Sequence, residues 1–450
     1  MKTLDQIATE LPGYNPQAMS ADAVLDFLSR LVTPVEDTLE LALFDALGRV
    51  LAADVLAPLN VPPHDNSAMD GYAFDGAQLA SSAALELQVV GTALAGKAWQ
   101  GRVEPGQCVK IMTGAVMPEG LDTVVPQELV STRSAAPAPR QSKEATNGKL
   151  AAATAEFITL PAGVLQPGDN RRLRGEDLAQ GQPALRQGEL LTPARLGLAA
   201  SLGLPTLLTR RPLRVAYFST GDEILSLGEA PREGAVYDSN RYTLLGLLRR
   251  LGCQVIDMGV VRDEPALLEA AFTRAAQQAD AIITSGGVSM GEADHTKAMM
   301  QQLGDVAFWH IAMRPGRPMA VGRMRPASPS QPQGALLFGL PGNPVAAMVT
   351  FLAFVRPALL QMMGARPAPQ PLLKARSLEA IRKKPGRTEY QRGCVSTAPD
   401  GHLQVKTTGS QGSGVLRSMA EANGLIVLRH AQGNVAVGDE VEVLMFDGAI

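Results

Sequence analysis

The sequence of 450 residues predicts a multidomain protein of the α/β plus β class. It has a central α/β domain with a mostly parallel sheet, an inserted small β-domain and a C-terminal β-barrel-like domain. Two observations predict this fold. Strand-like and helical runs alternate over residues 211–364, whereas short alternating stretches separated by glycine and proline occupy residues 61–165 and 365–450.

The composition excludes several classes of protein. Hydrophobic residues make up 46%, charged residues 19% and the net charge is −3, whereas a general nucleic-acid binder would be basic. The N-terminus lacks the layout of a signal peptide, and the apolar run 345–355 is too short to span a bilayer. Three distant cysteines without CxxC spacing predict reduced thiols, and five scattered histidines give no zinc pattern. The sequence therefore predicts a cytoplasmic protein that binds neither nucleic acid nor membrane.

Residues 1–60 and 166–210 are predicted to form an N-terminal domain of helices and linkers. Apolar side chains at helical spacing predict a helix over residues 21–32, and a second, short helix around residues 44–47 ends at Gly48. The same mixed pattern returns after residue 166, so the second segment is expected to rejoin the first.

Residues 61–165 are predicted to form a small β-domain inserted into the N-terminal domain. Short strand-like stretches lie at residues 85–89, 108–111 and 123–125. Residues 131–155 are rich in alanine, proline, serine and lysine and have no periodicity. They are therefore expected to form a disordered surface insertion.

The regular alternation over residues 211–364 predicts a sheet with helices on both faces. The expected strands are 213–218, 253–260, 280–284, 306–311, 318–321 and 335–338. The expected helices are 240–251, 264–278, 295–303 and 344–360. Residues 324–334 are a loop rich in proline and serine, and residues 365–450 are short strands and turns that predict a second β-domain.

Three loops of unusual composition follow strands of the α/β domain, at residues 219–223, 285–294 and 339–344. Ligands bind at the carboxyl ends of parallel strands, where these loops are expected to lie together. Their glycines let backbone N–H groups approach an anion, and a helix N-terminus adds its positive end. Each loop taken singly is better explained as a tight turn with a capping residue. Together, they predict a phosphate or pyrophosphate site.

The carboxylates of these loops, Asp222, Glu223, Glu292 and Asp294, would repel a phosphate. A bridging Mg²⁺ removes this conflict, because Mg²⁺ binds hard oxygen ligands together with phosphate. The loops match neither a Walker A motif nor a dinucleotide fingerprint.

Arg314 and Arg317 flank a Pro-Gly turn that should present both guanidinium groups on one side. Two guanidinium groups suit a second, tetrahedral oxyanion, although a solvated basic turn is the alternative. A further polar loop at residues 65–72 follows a proline pair, which predicts a rigid extended segment. That loop is either functional or a polar turn between strands.

These motifs together resemble the molybdopterin molybdenumtransferase family, the molybdenum-inserting enzymes similar to the E domain of gephyrin. The resemblance covers nearly the whole chain, from about residue 15 to its end. It rests on nine segments in order: 65–72, 111–115, 172–177, 219–223, 237–240, 285–294, 314–316, 340–344 and 391–393.

The resemblance implies a reaction and its substrates. Adenylylated molybdopterin carries a pterin, a dithiolate and an AMP attached through its phosphate. Molybdate is joined to the dithiolate, the pyrophosphate bond is broken in the presence of Mg²⁺, and AMP leaves with molybdenum cofactor as the product. It also implies a homodimer, with transient contacts to the adenylyltransferase that makes the substrate and to apo-molybdoenzymes.

The resemblance implies catalytic roles for Asp65, Asp222, Glu223 and Asp294, the last three of which would also hold Mg²⁺. Gly286, Gly287 and Ser289 would cradle the phosphates. Arg314, Arg317, Lys297 and His310 would hold molybdate. His310 stands where many family members carry a lysine, so one cation would be titratable near neutral pH. Further substrate contacts are implied for Thr113, Asp177, Ser219, Thr220, Gly221, Asp263, Ser285, Pro341, Gly342, Asn343, Arg392 and Ser413.

Asp65, Thr113, Arg392 and Ser413 are implied to come from the other subunit of the dimer. Asp238 matches a further family acid, with a role in positioning substrate or metal. Asp263 is equally explained as the N-cap of the helix that follows it.

Two other functions remain to be compared. The adenylyltransferase shares this type of α/β domain, but the additional N- and C-terminal domains argue against it. A non-catalytic scaffold like gephyrin would have no need of the carboxylates. ATP turnover would distinguish the adenylyltransferase, which consumes ATP, from the inserting enzyme.

Overall fold

The computed structural model describes residues 2–80, 83–135, 155–288, 295–326, 333–367 and 369–446. The chain forms two compact units, each described by itself below. Unit 1 comprises Met1–Ala53, Gln187–Pro193 and Thr206–Ile450, and unit 2 comprises Asp54–Arg186 and Ala194–Pro205.

Unit 1 begins with helices α1 (Leu4–Glu10) and α2 (Ala21–Leu31) and strand β1 (Thr38–Ala42). Helix α1 was not among the predicted elements, although a capping box marks its start. The Thr3 hydroxyl accepts a hydrogen bond from the Gln6 backbone N–H at 3.3 Å, and the Gln6 side chain accepts one from Thr3 N–H at 3.0 Å. Helix α2 buries one apolar face, which includes Val24 and Phe27, in the core of the unit.

Unit 2 is dominated by a six-stranded sheet. The strands of unit 2, in chain order, are β2 (Val55–Leu56), β3 (Asn66–Ser67), β4 (Gly71–Phe74), β5 (Leu85–Ala93), β6 (Gln107–Ile111), β7 (Thr123–Pro126), β8 (Ser131–Ala135), β9 (Ala155–Leu160), β10 (Arg171–Arg172) and β11 (Pro183–Leu185). Helix α3 (Pro193–Ser201) follows them. The sheet has the order β7-β4-β6-β5-β9-β8, and the short strands β3 and β10 pair with each other, as do β2 and β11.

The expectation of disorder over residues 131–155 is wrong at both ends of that segment. Ser131–Ala135 forms the edge strand β8, which pairs antiparallel with β9 so that Thr132 lies opposite Ile158. An edge strand is held by backbone hydrogen bonds and needs no buried face, so the missing hydrophobic alternation did not reveal it. Residues 136–154 lie outside the described part of the chain.

The chain enters unit 1 briefly at Gln187–Pro193 and returns to it for good at β12 (Thr206–Arg210), which pairs antiparallel with β1. The α/β layer follows. Its strands are β13 (Arg214–Thr220), β14 (Ile224–Leu225), β15 (Val236–Tyr237), β16 (Gln254–Val261), β17 (Ala281–Ser285), β18 (Gly304–His310), β19 (Met313–Arg314), β20 (Pro318–Met324) and β21 (Leu336–Leu340). Its helices are α4 (Ser239–Arg250), α5 (Pro265–Gln278), α6 (His295–Leu303), α7 (Pro344–Thr350) and α8 (Arg356–Met362).

The central sheet of this layer has the order β16-β13-β17-β21-β20-β18. The first four strands pair parallel with one another, whereas β20 pairs antiparallel with β21 and β18 pairs antiparallel with β20. This confirms the predicted mostly parallel sheet. Strand β13 shows how both faces are buried. Val215 and Tyr217 join the core that contains α2 and α4, whereas Ala216 and Phe218 join a second core with α5, where the Phe218 ring lies 5.1 Å from that of Phe272.

Helices α7 and α8 are joined by a π-helical turn, Phe351–Val355, into one apolar helix, Pro344–Met362. By length and composition this 19-residue helix could cross a membrane, so the apolar segment is longer than the sequence analysis expected. It is 72% buried inside the protein, where it packs among α2, α4 and the central sheet. Its apolarity is therefore explained by its place in a core.

The C-terminal part of unit 1 contains β22 (Leu373–Ser377), β23 (Thr388–Thr397), β24 (Leu403–Thr407), α9 (Arg417–Glu421), β25 (Gly424–Leu428) and β26 (Glu440–Met445). The strands pair in the order β23-β24-β22-β26-β25, and β25 pairs back to β23. This closed ring of five strands confirms the predicted barrel, whose interior is filled by Val405, Ile426 and Val443. Closure leaves these five strands without a free edge.

Candidate active site

A cleft of about 1480 Å³ lies within unit 1 at the carboxyl ends of β13, β17 and β21. The segment after β19 and a loop of the C-terminal barrel, residues 411–414, complete its wall. Most of the predicted site residues of this unit line the cleft: Ser219, Thr220, Gly221, Glu223, Asp263, Ser285, Gly286, Gly287, Arg314, Arg317, Pro341, Gly342, Asn343 and Ser413.

The loop after β17 is held close to its neighbours by two glycines. Gly286 has φ +95°, and a Cβ there would lie 2.4 Å from the carbonyl oxygen of Thr220. Gly287 has φ +66°, and a Cβ there would lie 2.4 Å from the methyl group of Thr296. The Gly286 N–H donates to the carbonyl oxygen of Leu340 at 3.1 Å, so this N–H holds two loops together and does not point to a ligand.

Asp263 does not cap helix α5, as one of its two predicted roles required. Helix α5 has Glu264 at its N-cap position, without a capping side-chain hydrogen bond. The Asp263 carboxylate instead accepts hydrogen bonds from the N–H and hydroxyl of Thr296, at 3.2 and 3.0 Å, in the first turn of α6. The buried Thr296 also lines the cleft, and sequence reasoning missed it because its partner lies 33 positions away.

A buried polar network forms the floor of the cleft. The hydroxyl groups of Tyr217 and Ser219 are 2.8 Å apart. Ser219 lies opposite Ser285 in the sheet, and the Ser285 hydroxyl accepts a hydrogen bond of 2.6 Å from the Asn240 side-chain amide. Burial, and then the negative charge of Asp238, raise the pKa of Tyr217, so its hydroxyl stays neutral.

Three buried polar atoms at the cleft have no hydrogen-bond partner among the residues that the structure describes. They are Oγ1 of Thr220, Oδ2 of Asp238 and Oδ1 of Asn240. Buried polar atoms in folded proteins are almost always paired, so each of these three has hydrogen-bonding capacity left for a water or a bound molecule.

The positive side of the cleft is formed by Arg314 and Arg317. Both side chains are exposed, and neither forms an ion pair with any residue in the described ranges. Arg387 also lines the cleft, but its guanidinium is paired with the buried Glu389 at 2.8 Å. Because Glu223 and Asp263 also line the cleft, it carries both signs of charge.

Lys297 and His310 do not line the cleft, unlike the other predicted molybdate ligands. The Lys297 ammonium lies 4.9 Å from the centre of the Phe308 ring. The His310 Nδ1 is 2.8 Å from the side-chain oxygen of Gln17, and its backbone N–H donates to the carbonyl oxygen of Pro16. Both side chains thus contact other parts of unit 1.

Arg392, which was predicted to contact substrate, is fully buried, and its guanidinium contacts other residues of the barrel. Its guanidinium donates to the Ser418 hydroxyl at 2.9 Å and to the carbonyl oxygens of Ser410, Gln411 and Gly412 at 3.0 to 3.3 Å. Burial, with the charge of Arg314, lowers the pKa of Arg392 to about 10, so it stays charged at neutral pH. Arg392 therefore positions the barrel loop that carries Ser413 into the cleft.

Asp222, a predicted metal ligand, is exposed and is not part of the cleft lining. Its carboxylate accepts a long hydrogen bond of 3.4 Å from the N–H of Asp263, so it lies beside a residue that does line the cleft. Ser289 and Asp294 lie outside the described residues.

Asp65, Thr113 and Asp177 belong to unit 2. The N–H and hydroxyl of Thr113 both donate to Asp70, at 2.6 and 2.7 Å, and these bonds lower the pKa of Asp70. The Asp65 carboxylate accepts from the N–H of Arg174 at 2.8 Å. The segments of Asp65 and Thr113 lie side by side, because Met117 N–H donates to the carbonyl oxygen of Asp65. Asp177 is exposed, and its backbone N–H donates to Val61.

Family models match three regions of the chain. Residues 19–203 match the MoeA N-terminal region (domains I and II), residues 216–361 match a probable molybdopterin binding domain, and residues 374–446 match the MoeA C-terminal region (domain IV).

Curated relatives and solved structures are similar over most of their length. A molybdopterin molybdenumtransferase from Haemophilus influenzae is 39% identical over 421 residues, covering 93% of this chain and 96% of the relative. One from a Nostoc species is 34% identical, covering 91% and 89%. A crystal structure of a molybdopterin biosynthesis moeA protein from Pyrococcus horikoshii has a TM-score of 0.68 at 26% identity, covering 96% of this chain and 99% of that one. A second structure of the protein from this organism has a TM-score of 0.75 at 24% identity, covering 95% and 100%, which supports the fold.

Proposed function

The chain belongs to the molybdopterin molybdenumtransferase family, and we propose from this premise that it inserts molybdenum from molybdate into adenylylated molybdopterin. The reaction would release AMP and form molybdenum cofactor. One observation carries the proposal beyond family membership. A single cleft combines strand-end loops suited to phosphates, acidic side chains and two arginines that form no ion pair with the residues the structure describes.

The arrangement of charge matches the two anions of the reaction. Arg314 and Arg317 would hold molybdate, because a pair of guanidinium groups binds a tetrahedral oxyanion through several hydrogen bonds. Ser285 and Gly287 at the end of β17, with Gly342 and Asn343 ahead of α7, would hold the phosphates. Holding both anions in one cleft brings the dithiolate and molybdate together.

The acidic side chains fit a divalent cation. Glu223 and Asp263 line the cleft, and Mg²⁺ is commonly bound by one or two carboxylates together with substrate phosphates. The described residues hold no cluster of three potential ligands, so substrate oxygens would complete the coordination. Asp222 and Asp294 remain proposed ligands beside Glu223. Mg²⁺ bound there would neutralise charge that develops on the phosphates during cleavage.

The proposal includes a cytoplasmic homodimer. Phe44 is fully exposed, and Leu39, Leu47 and Leu208 on or next to the β1–β12 ribbon are each about half exposed. Apolar side chains of this kind mark surfaces that bind another protein, here a second copy. Asp65 and Thr113 of one subunit would act in the cleft of the other, and Asp177 would help to position substrate or metal. Transient contacts with the adenylyltransferase and apo-molybdoenzymes would deliver substrate and remove product. All three cysteines are free thiols, as expected in the cytoplasm.

The test is AMP release from adenylylated molybdopterin by the purified protein. We expect release to require both molybdate and Mg²⁺, and the product to activate a cofactor-free molybdoenzyme. Glu223→Gln should remove the activity while leaving the fold intact, and Glu229→Gln, outside the cleft lining, is its matched control.

Other outcomes would favour the alternatives. Consumption of ATP with molybdopterin would indicate the adenylyltransferase, and tight binding of adenylylated molybdopterin without AMP release would indicate a scaffold. The relatives favour neither alternative. They are named molybdopterin molybdenumtransferase, and the match covers 96% and 89% of their length.

A further inference from the structure

Two side chains at the start of α4 line the cleft, and each carries a buried acceptor atom that is unpaired among the described residues. Asp238 is 4% exposed and Asn240 is 7% exposed, and both line the cleft. Oδ2 of Asp238 and Oδ1 of Asn240 have no hydrogen-bond partner within the described part of the chain. Leaving a buried acceptor unpaired costs about 1–3 kcal/mol, so two of them two residues apart call for an explanation.

The other polar atom of each side chain fixes its orientation. Oδ1 of Asp238 caps α4 by accepting from the N–H of Arg241 at 3.0 Å. Nδ2 of Asn240 donates to the Ser285 hydroxyl at 2.6 Å and to the carbonyl oxygen of Gly342 at 2.7 Å. A carbonyl oxygen can only accept, so the amide nitrogen must face Gly342 and the amide oxygen must be the unpaired atom.

The chemistry of these acceptors restricts what they can bind. A carboxylate oxygen and an amide oxygen both lack a hydrogen, so they match two donors. A phosphate or molybdate oxygen would be repelled by the carboxylate. The base-pairing edge of adenine offers a donor beside an acceptor and therefore satisfies only one of them. The 2-amino and N3–H groups of a pterin, or the two hydroxyls of a ribose, supply a pair of donors.

We propose that Asp238 and Asn240 form an acceptor pair that binds two adjacent hydrogen-bond donors of the substrate, either the amino edge of the pterin or the ribose diol. This inference rests on the proposed function, because adenylylated molybdopterin carries both groups. Asp238 and Asn240 then select the organic part of the substrate, whereas the arginines and strand-end loops bind its anions.

The test replaces the unpaired oxygen and keeps the helix cap. In Asp238→Asn the amide oxygen must take the capping position, because Arg241 N–H needs an acceptor, so an NH₂ group faces the cleft. Asp238→Ser also keeps a good cap but removes the second oxygen. Titration calorimetry with AMP and, under anaerobic conditions, with molybdopterin lacking the nucleotide separates the two sources of donors.

We expect both variants to bind one of these two ligands about 10- to 100-fold more weakly than the wild type, as for a lost hydrogen bond to a charged group. Weaker molybdopterin binding assigns the pair to the pterin, and weaker AMP binding assigns it to the ribose. Asp257→Asn is the matched control. Asp257 forms an ion pair with Arg241 and does not line the cleft, so this variant removes one negative charge near α4 without changing the cleft.

Unchanged affinity for both ligands in folded Asp238→Asn and Asp238→Ser would overturn the inference. So would a variant whose sole defect is a higher Mg²⁺ requirement, because the carboxylate would then serve the cation. Failure of the wild-type protein to bind either ligand would instead count against the proposed function.

Discussion

Asp263 accepts two hydrogen bonds from Thr296, one from its backbone N–H and one from its hydroxyl. The pair joins the segment after β16 to the first turn of α6, and both residues line the cleft. A carboxylate proposed to help hold Mg²⁺ is thus fixed by a side chain that also packs against Gly287 in the loop after β17. The position of Asp263 depends on Thr296.

Thr296→Val should remove one of these bonds while keeping the shape of the side chain. The loss of one buried hydrogen bond predicts a decrease of about 1 kcal/mol in the free energy of unfolding. We also expect a several-fold higher Mg²⁺ concentration for half-maximal AMP release, because Asp263 becomes less well oriented. Thr9→Val, which removes a hydroxyl bonded within α1, is the control and should leave the Mg²⁺ requirement unchanged. Equal Mg²⁺ curves for the two variants would contradict the role given to Thr296.

Gly286→Ala should be strongly destabilising. The new methyl group would lie 2.4 Å from the Thr220 carbonyl oxygen, and the residue would keep a positive φ. Strain of this kind predicts a loss of about 2 kcal/mol or more in the free energy of unfolding, measured by urea denaturation. Gly342→Ala in the same cleft is the matched control, because its Cβ would be 3.9 Å from the nearest atom. If the two variants are equally stable, the close approach of the loop to β13 is not as described.

Arg392→Lys should weaken substrate binding without a direct contact being lost. A lysine ammonium cannot reproduce the fork that reaches three carbonyl oxygens and Ser418, so buried acceptors are left unpaired. We expect a loss of about 2 kcal/mol in unfolding free energy and a higher KM with a smaller change in kcat. Arg417→Lys, on the exposed surface of α9, should change neither value. A decrease in kcat alone would instead place Arg392 at the reacting atoms.

The Asp280–Arg211 pair should make stability depend on acid pH. Burial of Asp280 raises its pKa, but hydrogen bonds from Arg211 and Arg214 outweigh this effect and leave the pKa below the ordinary 3.8. The stabilisation is therefore complete above about pH 3.8 and is lost as the pH falls through the lowered value.

Asp280→Asn tests this pH dependence. It should lower the unfolding free energy by about 3 kcal/mol near neutral pH, because Arg211 loses its buried partner, and the difference from wild type should shrink in acid. Asp400→Asn removes an exposed pair and is the control, with an expected effect of at most about 1 kcal/mol. A difference that is the same at all pH values would show that the charge of Asp280 does not contribute.

The three cysteines should react at very different rates. Burial raises the pKa of Cys108 and of Cys253 to about 12, whereas Cys394 is exposed. At mildly alkaline pH an aromatic disulfide reagent should modify one thiol per native chain and three per unfolded chain. Cys394→Ser should abolish the reaction of the native protein. Rapid modification of that variant would show that a buried thiol is accessible.

The cleft could be predicted because parallel strands bring distant loops to one edge. Ser219, Ser285 and Gly342 each follow a strand that the sequence revealed by its apolar run, and the α/β rule places such ends together. The burial of Arg392 among carbonyl oxygens could not be predicted, because it depends on a barrel whose pairings the sequence does not display. Lys297 and His310 were placed at the molybdate site by resemblance, yet each contacts a neighbour outside the cleft lining.

Residues that act through distant partners were the hardest to find. Asn240 lies in a segment that the sequence analysis noticed, but its partners are 45 and 102 positions away. The strand β8 shows the converse difficulty, since its pairing is made by the backbone and leaves little trace in composition. Helix α1 was detectable from Thr3 and Gln6, whose spacing is that of a capping box.

The two hydrogen bonds from the Asn240 amide have a consequence for how this site can vary. The Asn240 amide bonds both Ser285 at the end of β17 and Gly342 in the turn before α7, so it fixes the distance between these two segments. A change in the length of either loop would therefore displace the other. An insertion or graft in one of these loops must therefore be matched by a change in the other, so that Ser285 and Gly342 both still accept from Asn240. The connection between the parallel strands β14 and β15, residues 226–235, is not subject to this restriction, which makes it the better position for attaching a reporter or a new binding segment beside the cleft.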